Sequence, residues 1–295
     1  MYDVLIIGGG PAGVTAAVYC VRGGLKAAVV YKDAGALTKA EKIENYYGFE
    51  RPLTGAELFN AGLAQARRIG AEIFCDEAVG LALEEHFTVF AAGGSYDAEA
   101  VILATGSVRA VPKIRNLAAF ENAGVSYCAV CDAFFYRKKI TAVLGGGEYA
   151  LAEVRELLPV AGKVVVLTDG KNPEAAFPSE VEVIVKKIDS LTGDGNLSGV
   201  TFADGQSISV SGLFVALGSA GSGDLAKKIG AVTEVSGNDA VVKTDSKMQT
   251  SVPGLFAAGD CTGGLKQIAK AVHEGAVAGM SAVSCIRRAS AKGGA

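Results

Sequence analysis

The sequence predicts an α/β protein made of two doubly wound units, the second inserted into the first. Three observations predict this. A short apolar run ending in a glycine-rich turn and leading into a helix-compatible segment occurs twice, at residues 3–22 and 140–158. Each copy is followed by a second strand-like run, 27–31 and 163–167, which completes the start of a βαβ unit. The stretch after about 243 is too short to form a domain, yet it carries an apolar run at 254–258 and a long helical segment that need a sheet to join.

Taken in order, residues 3–7 form the first strand and end at Gly8-Gly9-Gly10-Pro11-Ala12-Gly13. Small residues from 14 to 22 suit a helix packed close to a sheet. The run 101–106, Val-Ile-Leu-Ala-Thr-Gly, reads as a buried strand with a tight end. Residues 140–144 repeat the opening, ending at Gly145-Gly146-Gly147-Glu148-Tyr149-Ala150. Residues 1–110 and 243–295 are therefore expected to form one domain and 111–242 the inserted one, with 108–112 and 242–245 as hinge strands. The polar, glycine-rich tail from 287 is expected to fray.

Composition narrows the function. Half of the 295 residues are apolar, enough for full cores. With 28 basic against 31 acidic residues, the net charge of −3 argues against a nucleic-acid binder. The 39 glycines are roughly twice average usage and suggest backbone packed against phosphate ligands. The apolar stretch 4–18 is interrupted by four glycines and a proline and is too short to span a bilayer. With no basic leader or cleavage site at the start, a cytoplasmic protein with no membrane partner is expected.

Three constellations carry chemistry. In the first glycine loop, Gly8 permits the turn, Gly10 lets backbone approach a pyrophosphate, and Gly13 lets helix and strand pack closely. The helix amides and dipole then hold the negative charge. A ribose-binding acid should end the second strand, but Tyr31-Lys32 stand there and Asp33 lies beyond, unlike a plain NAD site. Second, Gly259-Asp260 ends a strand before the Gly263-Gly264 turn, where Asp260 either accepts from a polyol chain or caps a helix. Third, Cys128-Ala129-Val130-Cys131-Asp132 has the spacing of a reversible disulfide with an adjacent acid–base group. Zinc needs two further ligands, and neither His86, His273 nor the isolated cysteines cluster suitably. The cysteines at 20, 75, 261 and 285 read as small apolar residues.

These residues resemble the low-molecular-weight thioredoxin reductases, flavoproteins that pass electrons from FAD to a C-x-x-C and on to thioredoxin. The likeness rests on Gly8 to Gly13, Glu44-Asn45-Tyr46-Tyr47-Gly48, Ala104-Thr105-Gly106, Cys128 to Asp132 with Phe134-Phe135-Tyr136, and Gly259-Asp260, nearly end to end. The resemblance implies two Rossmann-like domains that rotate between a flavin-facing and a thioredoxin-facing arrangement, usually in a homodimer. It implies that Cys131 exchanges electrons with the flavin, Cys128 attacks the partner disulfide, and Asp132 moves the proton. It places Gly8, Gly10, Pro11, Ala12, Gly13, Leu37, Asn45, Ala104, Thr105, Gly106, Gly259, Asp260, Lys266, Gln267 and Ile268 at the FAD.

The second nucleotide site departs from that family. Gly145, Gly147 and Ala150 survive, so a pyrophosphate can still be accommodated. Members that use NADPH carry a His-Arg-Arg cluster after the next strand, where this chain reads Leu167-Thr168-Asp169-Gly170-Lys171. A carboxylate there repels a 2′-phosphate, and Asp169 suits the free hydroxyls of NADH. The loss of that cluster, together with the Gly263-Gly264-Leu265-Lys266-Gln267 turn, resembles branches of the family that use no nicotinamide. That resemblance implies reduced ferredoxin or another low-potential carrier such as a deazaflavin as donor, with NADH as the reading of Asp169 and NADPH doubtful. An acidic ferredoxin needs a basic face, for which 137–139, 186–187 and 227–228 offer residues. The usual NADPH-dependent reductase and a non-catalytic flavin redox sensor are the alternatives.

Overall fold

Buried β-branched runs build the first sheet. β1 (Tyr2–Ile7) and β2 (Ala27–Tyr31) pair in parallel across α1 (Pro11–Arg22), which begins on Pro11, a residue preset for a first helical turn. The next helix, α2 (Gly55–Arg68), starts in a reciprocal cap: Glu57 N donates to Thr54 Oγ1, and Thr54 N donates to the Glu57 carboxylate. It delivers the chain to β3 (Glu72–Cys75), parallel to β2. A meander of β4 (Ala78–Leu83), β5 (Phe87–Ala91) and β6 (Gly94–Leu103) closes this stretch.

The inserted segment supplies β7 (Val125–Ser126), α3 (Ala129–Asp132), β8 (Ile140–Leu144), α4 (Glu148–Leu157), β9 (Lys163–Leu167) and β10 (Glu182–Ile184). An antiparallel sheet of β11 (Ile188–Asp194), β12 (Asn196–Phe202) and β13 (Ser207–Ser209) follows, then β14 (Gly212–Val215). Its parallel sheet runs β10-β9-β8-β14-β7. The chain ends with α5 (Ser222–Lys228), the hairpin β15 (Thr233–Ser236) and β16 (Asp239–Val242), β17 (Leu255–Ala257) and α6 (Ile268–Gly293).

The computed structural model describes residues 1–106, 112, 114–121, 123–127, 129–218, 220–236 and 239–293. The chain divides into unit 1, Met1–Val108 with Gly221–Ala295, and unit 2, Arg109–Ala220. Both are Rossmann-like. The sheet of unit 1 runs β3-β2-β1-β6-β5-β4. The long β6 serves two partners along one edge, β5 in antiparallel from Gly94 to Ala98 and β17 in parallel from Val101 to Leu103. The core of unit 1 packs Val4, Ile6, Val29, Ile102 and Phe256 against Ala16 and Ala17 of α1 and Ala278 and Ala282 of α6. That of unit 2 packs Leu144, Val165 and Leu213 against Leu191, Val200 and Phe202 of its antiparallel sheet. Each such aliphatic or aromatic side chain contributes ~1.5–3 kcal/mol on burial.

Three sequence expectations differ from the structure. The return to unit 1 falls at Gly221 instead of 243, because α5 is tied to the end of β6: Ser222 N donates to Thr105 Oγ1 at 2.8 Å, and the two hydroxyl oxygens are also 2.8 Å apart. Val242 ends a hairpin strand paired with Thr233, so 242–245 is no hinge. Most of 108–112 lies outside the described residues. The tail does not fray at 287: α6 continues to Gly293, and Arg287 Nη2 donates to Gly23 O at 2.8 Å beyond the end of α1. Glycine makes this docking possible, since a β-carbon on Gly275 would stand 2.2 Å from Ala12 O. No described helix is long and apolar enough to cross a membrane.

Candidate functional site

The first glycine loop sits where β1 hands over to α1. Gly8 adopts φ +119°, and a β-carbon on it would stand 2.2 Å from Ala104 O, so this position requires glycine. A β-carbon on Gly13 would stand 1.9 Å from Gly8 O, which holds α1 tight against the turn. Gly10 differs: nothing lies within 4 Å of where its β-carbon would be. It is also the N-cap of α1, which has no side-chain cap and no acid in its first turn. The result is a backbone-lined cradle facing the positive end of a helix, which fits a pyrophosphate. Pro11 and Ala12 continue into that first turn, and Tyr31, at the end of β2, lines the loop at Gly9.

Four further segments of unit 1 carry other residues that the sequence assigned to the FAD. Ala104 follows β6 and receives Gly8; Thr105 is bonded to Ser222; Gly106 has a positive φ of 76°. Leu37 lies in a 3-10 turn whose carbonyl a β-carbon on Gly55 would meet at 1.7 Å, fixing the turn to α2. Asn45 Nδ2 donates to Gln267 Oε1 at 2.9 Å, joining positions 222 residues apart. Lys266 and Gln267 are exposed just before Ile268 opens α6.

Sequence reasoning missed what holds the Gly259–Gly263 loop. Gly259 N donates to Glu274 Oε2 at 2.8 Å, and Thr262 Oγ1 donates to the same oxygen at 2.8 Å. Lys270 Nζ donates to Gly259 O at 2.8 Å and lies 3.1 Å from Glu274 Oε2. This largely buried network fixes the turn carrying Asp260. Its only sequence signal was a Lys–Glu pair at i, i+4 near the start of a helix whose next turns are mostly small and apolar. Nearby, burial pushes the Cys261 thiol up to about 11, as it pushes Cys20 up to about 12. Both behave as small core residues; Cys75 is exposed.

In unit 2 the second glycine loop copies the first. A β-carbon on Gly145 would stand 2.2 Å from Ala216 O, and Ala150 packs beneath it. Its outer face is filled from within the unit. Glu174 N and Ala175 N donate to Gly146 O at 2.7 and 2.9 Å, and Pro173 Cα stands 3.3 Å from where a Gly146 β-carbon would be. Glu174 Oε2 lies 3.6 Å from the corresponding point on Gly147, and Glu148 occupies the first turn of α4. Asp169 has both oxygens engaged, Oδ2 by Lys187 Nζ at 2.6 Å and Oδ1 by Ile188 N at 2.8 Å. Lys186 is paired with Asp204, so 186–187 do not offer two unpaired cations.

β7, which precedes the C-x-x-C in sequence, is an edge strand of the unit 2 sheet, and α3 follows it. Cys128 falls outside the described residues, and Cys131 is described only as a backbone position of α3. Around them, Ser126 Oγ donates to Asp132 Oδ2 at 2.7 Å, Ala129 N donates to Glu153 Oε2 at 2.6 Å, and Tyr149 OH donates to Tyr127 O at 3.3 Å. Burial, then the charge of Asp132, raises the Tyr136 phenol. Phe134 and Phe135 follow as an exposed edge-to-face pair. Among the described residues no group of three or more His, Cys, Asp or Glu side chains is placed to hold a metal ion.

Residues 2–275 match the pyridine nucleotide-disulphide oxidoreductase family. A thioredoxin reductase from Aquifex aeolicus is 34% identical over 282 residues, covering 88% of this chain and 85% of that protein. Among solved structures, the atypical thioredoxin reductase TRi from Desulfovibrio vulgaris Hildenborough superposes with a TM-score of 0.90 at 40% identity, covering 98% of this chain and 99% of that one. A ferredoxin-flavin thioredoxin reductase from Clostridium acetobutylicum superposes with a TM-score of 0.73 at 32% identity, covering 97% and 98%. The chain therefore belongs to the pyridine nucleotide-disulphide oxidoreductases, within the thioredoxin reductase family.

Proposed function

We propose that this chain is an FAD-dependent reductase of thioredoxin or a thioredoxin-like protein, acting through Cys128 and Cys131, with reduced ferredoxin or a similar low-potential carrier as donor. The open position at Gly10, beside the uncapped start of α1, is the observation that carries FAD binding. Gly8 to Gly13 would hold the pyrophosphate, with Asp260 and Ala104 to Gly106 at the adjoining strand ends. Asn45, Gln267 and the start of α6 would meet the ring system, and Leu37 and Lys266 would flank it. When bound, FAD supplies the two-electron redox chemistry that links donor to disulfide.

In this reading the Cys128 thiolate attacks the partner disulfide, forming a mixed disulfide and releasing one partner thiolate. Cys131 then attacks Cys128 Sγ, which releases the second partner thiolate and leaves a Cys128–Cys131 disulfide. Asp132, held by Ser126 Oγ, delivers protons to the leaving thiolates and takes them from the attacking pair. Two electrons and two protons enter for each partner disulfide reduced. A homodimer in the cytoplasm is part of the same reading.

The choice of donor rests on the second glycine loop. Its outer face is covered by the 172–175 segment, the Glu174 carboxylate stands in front of Gly147 and Glu148 is an acid in the first turn of α4, where a diphosphate needs positive charge, and Asp169 is committed to Lys187 and Ile188. These observations disfavour both NADPH and the NADH role read for Asp169. The ferredoxin-flavin enzyme from Clostridium acetobutylicum supports the alternative donor. A second reading, the usual NADPH-dependent reductase, is favoured only by the surviving Gly145, Gly147 and Ala150. The test is anaerobic mixing of the yellow protein with NADPH, NADH or reduced ferredoxin while following oxidised-flavin absorbance. Bleaching by ferredoxin alone is expected; rapid bleaching by either nicotinamide overturns the donor assignment.

A further inference from the structure

The motif helix α3 has four residues, too few to be stable by its own hydrogen bonds. Something else must hold it, and α4 is placed to do so. Tyr149 and Glu153 lie one helical turn apart on the buried face of α4, with exposures of 2% and 1%. Tyr149 OH donates to Tyr127 O at 3.3 Å, and Glu153 Oε2 accepts from Ala129 N at 2.6 Å. These are the backbone carbonyl just before position 128 and the backbone amide just after it. A carboxylate buried beneath a helix is costly unless it is bonded, and this one is bonded to the motif backbone.

We propose that Tyr149 and Glu153 form a two-point backbone clamp that fixes the chain on both sides of the attacking cysteine, so that the disulfide with Cys131 closes from a preorganised chain. The clamp rests on the roles given above to Cys128 and Cys131. Both members act on the motif backbone and are positioning residues. Holding the carbonyl of 127 and the amide of 129 restricts the torsions around 128. Less conformational entropy is then lost when the dithiol closes. The helix that opens at the second glycine loop thereby serves the redox pair along its side.

The test is an equilibrium that needs neither FAD, donor nor thioredoxin. The full-length protein is poised in glutathione buffers, where protein dithiol and glutathione disulfide give protein disulfide and two glutathione thiols. The oxidised fraction of the 128–131 pair is read by alkylation and mass spectrometry. Tyr149→Phe and Glu153→Leu are each expected to lower the equilibrium constant by about 3- to 10-fold, the range of one lost hydrogen bond. A tenfold fall corresponds to a midpoint about 30 mV less reducing. Glu153→Gln keeps an acceptor oxygen and is expected to stay within about twofold of the parent.

A purely structural role would lower the thermal midpoint and leave the equilibrium constant alone. Unchanged constants in both Tyr149→Phe and Glu153→Leu therefore overturn the clamp. So does a Glu153→Gln shift as large as that of the leucine variant, which would assign the effect to charge. Tyr149→Phe removes one oxygen and keeps the ring, so it remains informative if the leucine variant fails to fold. If the parent protein forms no 128–131 disulfide in any buffer, the reductase reading fails, and that outcome is distinct from the failure of the clamp.

Discussion

The two glycine loops share a plan and differ in what stands in front of them. At Gly8 and at Gly145, a β-carbon would meet a carbonyl of the strand end opposite at 2.2 Å, so both turns are shaped by one close backbone approach. The loops part at the third glycine. In front of Gly10 there is open space and an uncapped helix with no first-turn acid. In front of Gly147 stands the Glu174 carboxylate, while the 173–175 backbone covers Gly146 and Glu148 opens the helix. A glycine pattern therefore reports how a strand turns into a helix. Whether an anion binds there depends on the neighbours that arrive from elsewhere in the chain.

The sharpest break in the comparison is at its sixth position. Gly13→Ala puts a β-carbon 1.9 Å from Gly8 O, whereas Ala150 already carries one at the matching place. Gly13→Ala is expected to destabilise unit 1 by at least ~2 kcal/mol and to yield colourless protein; Ala150→Gly is expected to cost only ~0.5–1 kcal/mol. Urea denaturation and the flavin-to-protein ratio check both.

Gly10→Ala separates the cradle from the fold. Its β-carbon enters open space, so apoprotein stability should stay within about 0.5 kcal/mol, while FAD affinity falls at least about tenfold through the lost phosphate approach. Unchanged FAD affinity in a fluorescence titration would remove the pyrophosphate from that position. A smaller effect is expected in unit 2. Glu174→Arg should raise the affinity for inorganic pyrophosphate about tenfold by reversing a charge at the start of α4; an unaltered calorimetric titration would relieve Glu174 of any guarding role.

The smallest effect is a pH dependence confined to unit 1. Burial raises the Cys20 thiol from 9.0 to about 12 and Cys261 to about 11. Above pH 9 the unfolded chain releases these protons while the folded chain keeps them, so the unfolded state binds fewer protons and stability falls as pH rises. Below pH 9 the two states are equally protonated and no such slope arises. Urea midpoints from pH 8 to 10.5 should decline less steeply in Cys20→Ala than in the parent.

Local signals and long-range ones were unequally legible in the sequence. The runs 27–31, 140–144 and 163–167 coincide with β2, β8 and β9, because strands buried on both faces read as continuous apolar segments between polar or glycine-rich breaks. The C-x-x-C and both glycine turns were equally plain. The return at Gly221 was hidden: α5 has seven residues, and its tie to Thr105 spans 117 positions. Asp169 invited a ribose reading because its partners, Lys187 and Ile188, lie on the far side of a loop. The Lys270–Glu274 network and the 172–175 cover were illegible for the same reason, since each depends on which residues the fold brings together.

The double service of β6 has a consequence for the order of assembly. One half of this strand pairs with β5, its immediate neighbour in sequence, and the other half waits for β17, made only after all of unit 2. On the ribosome the early strands of unit 1 therefore emerge with one edge incomplete, while unit 2, contiguous in sequence, can close its own sheet first. Only when β17 and α6 leave the exit tunnel is the exposed edge of Val101–Leu103 sealed and the face of α1 covered. A pause in synthesis before residue 255 would leave that edge open to pairing with other chains.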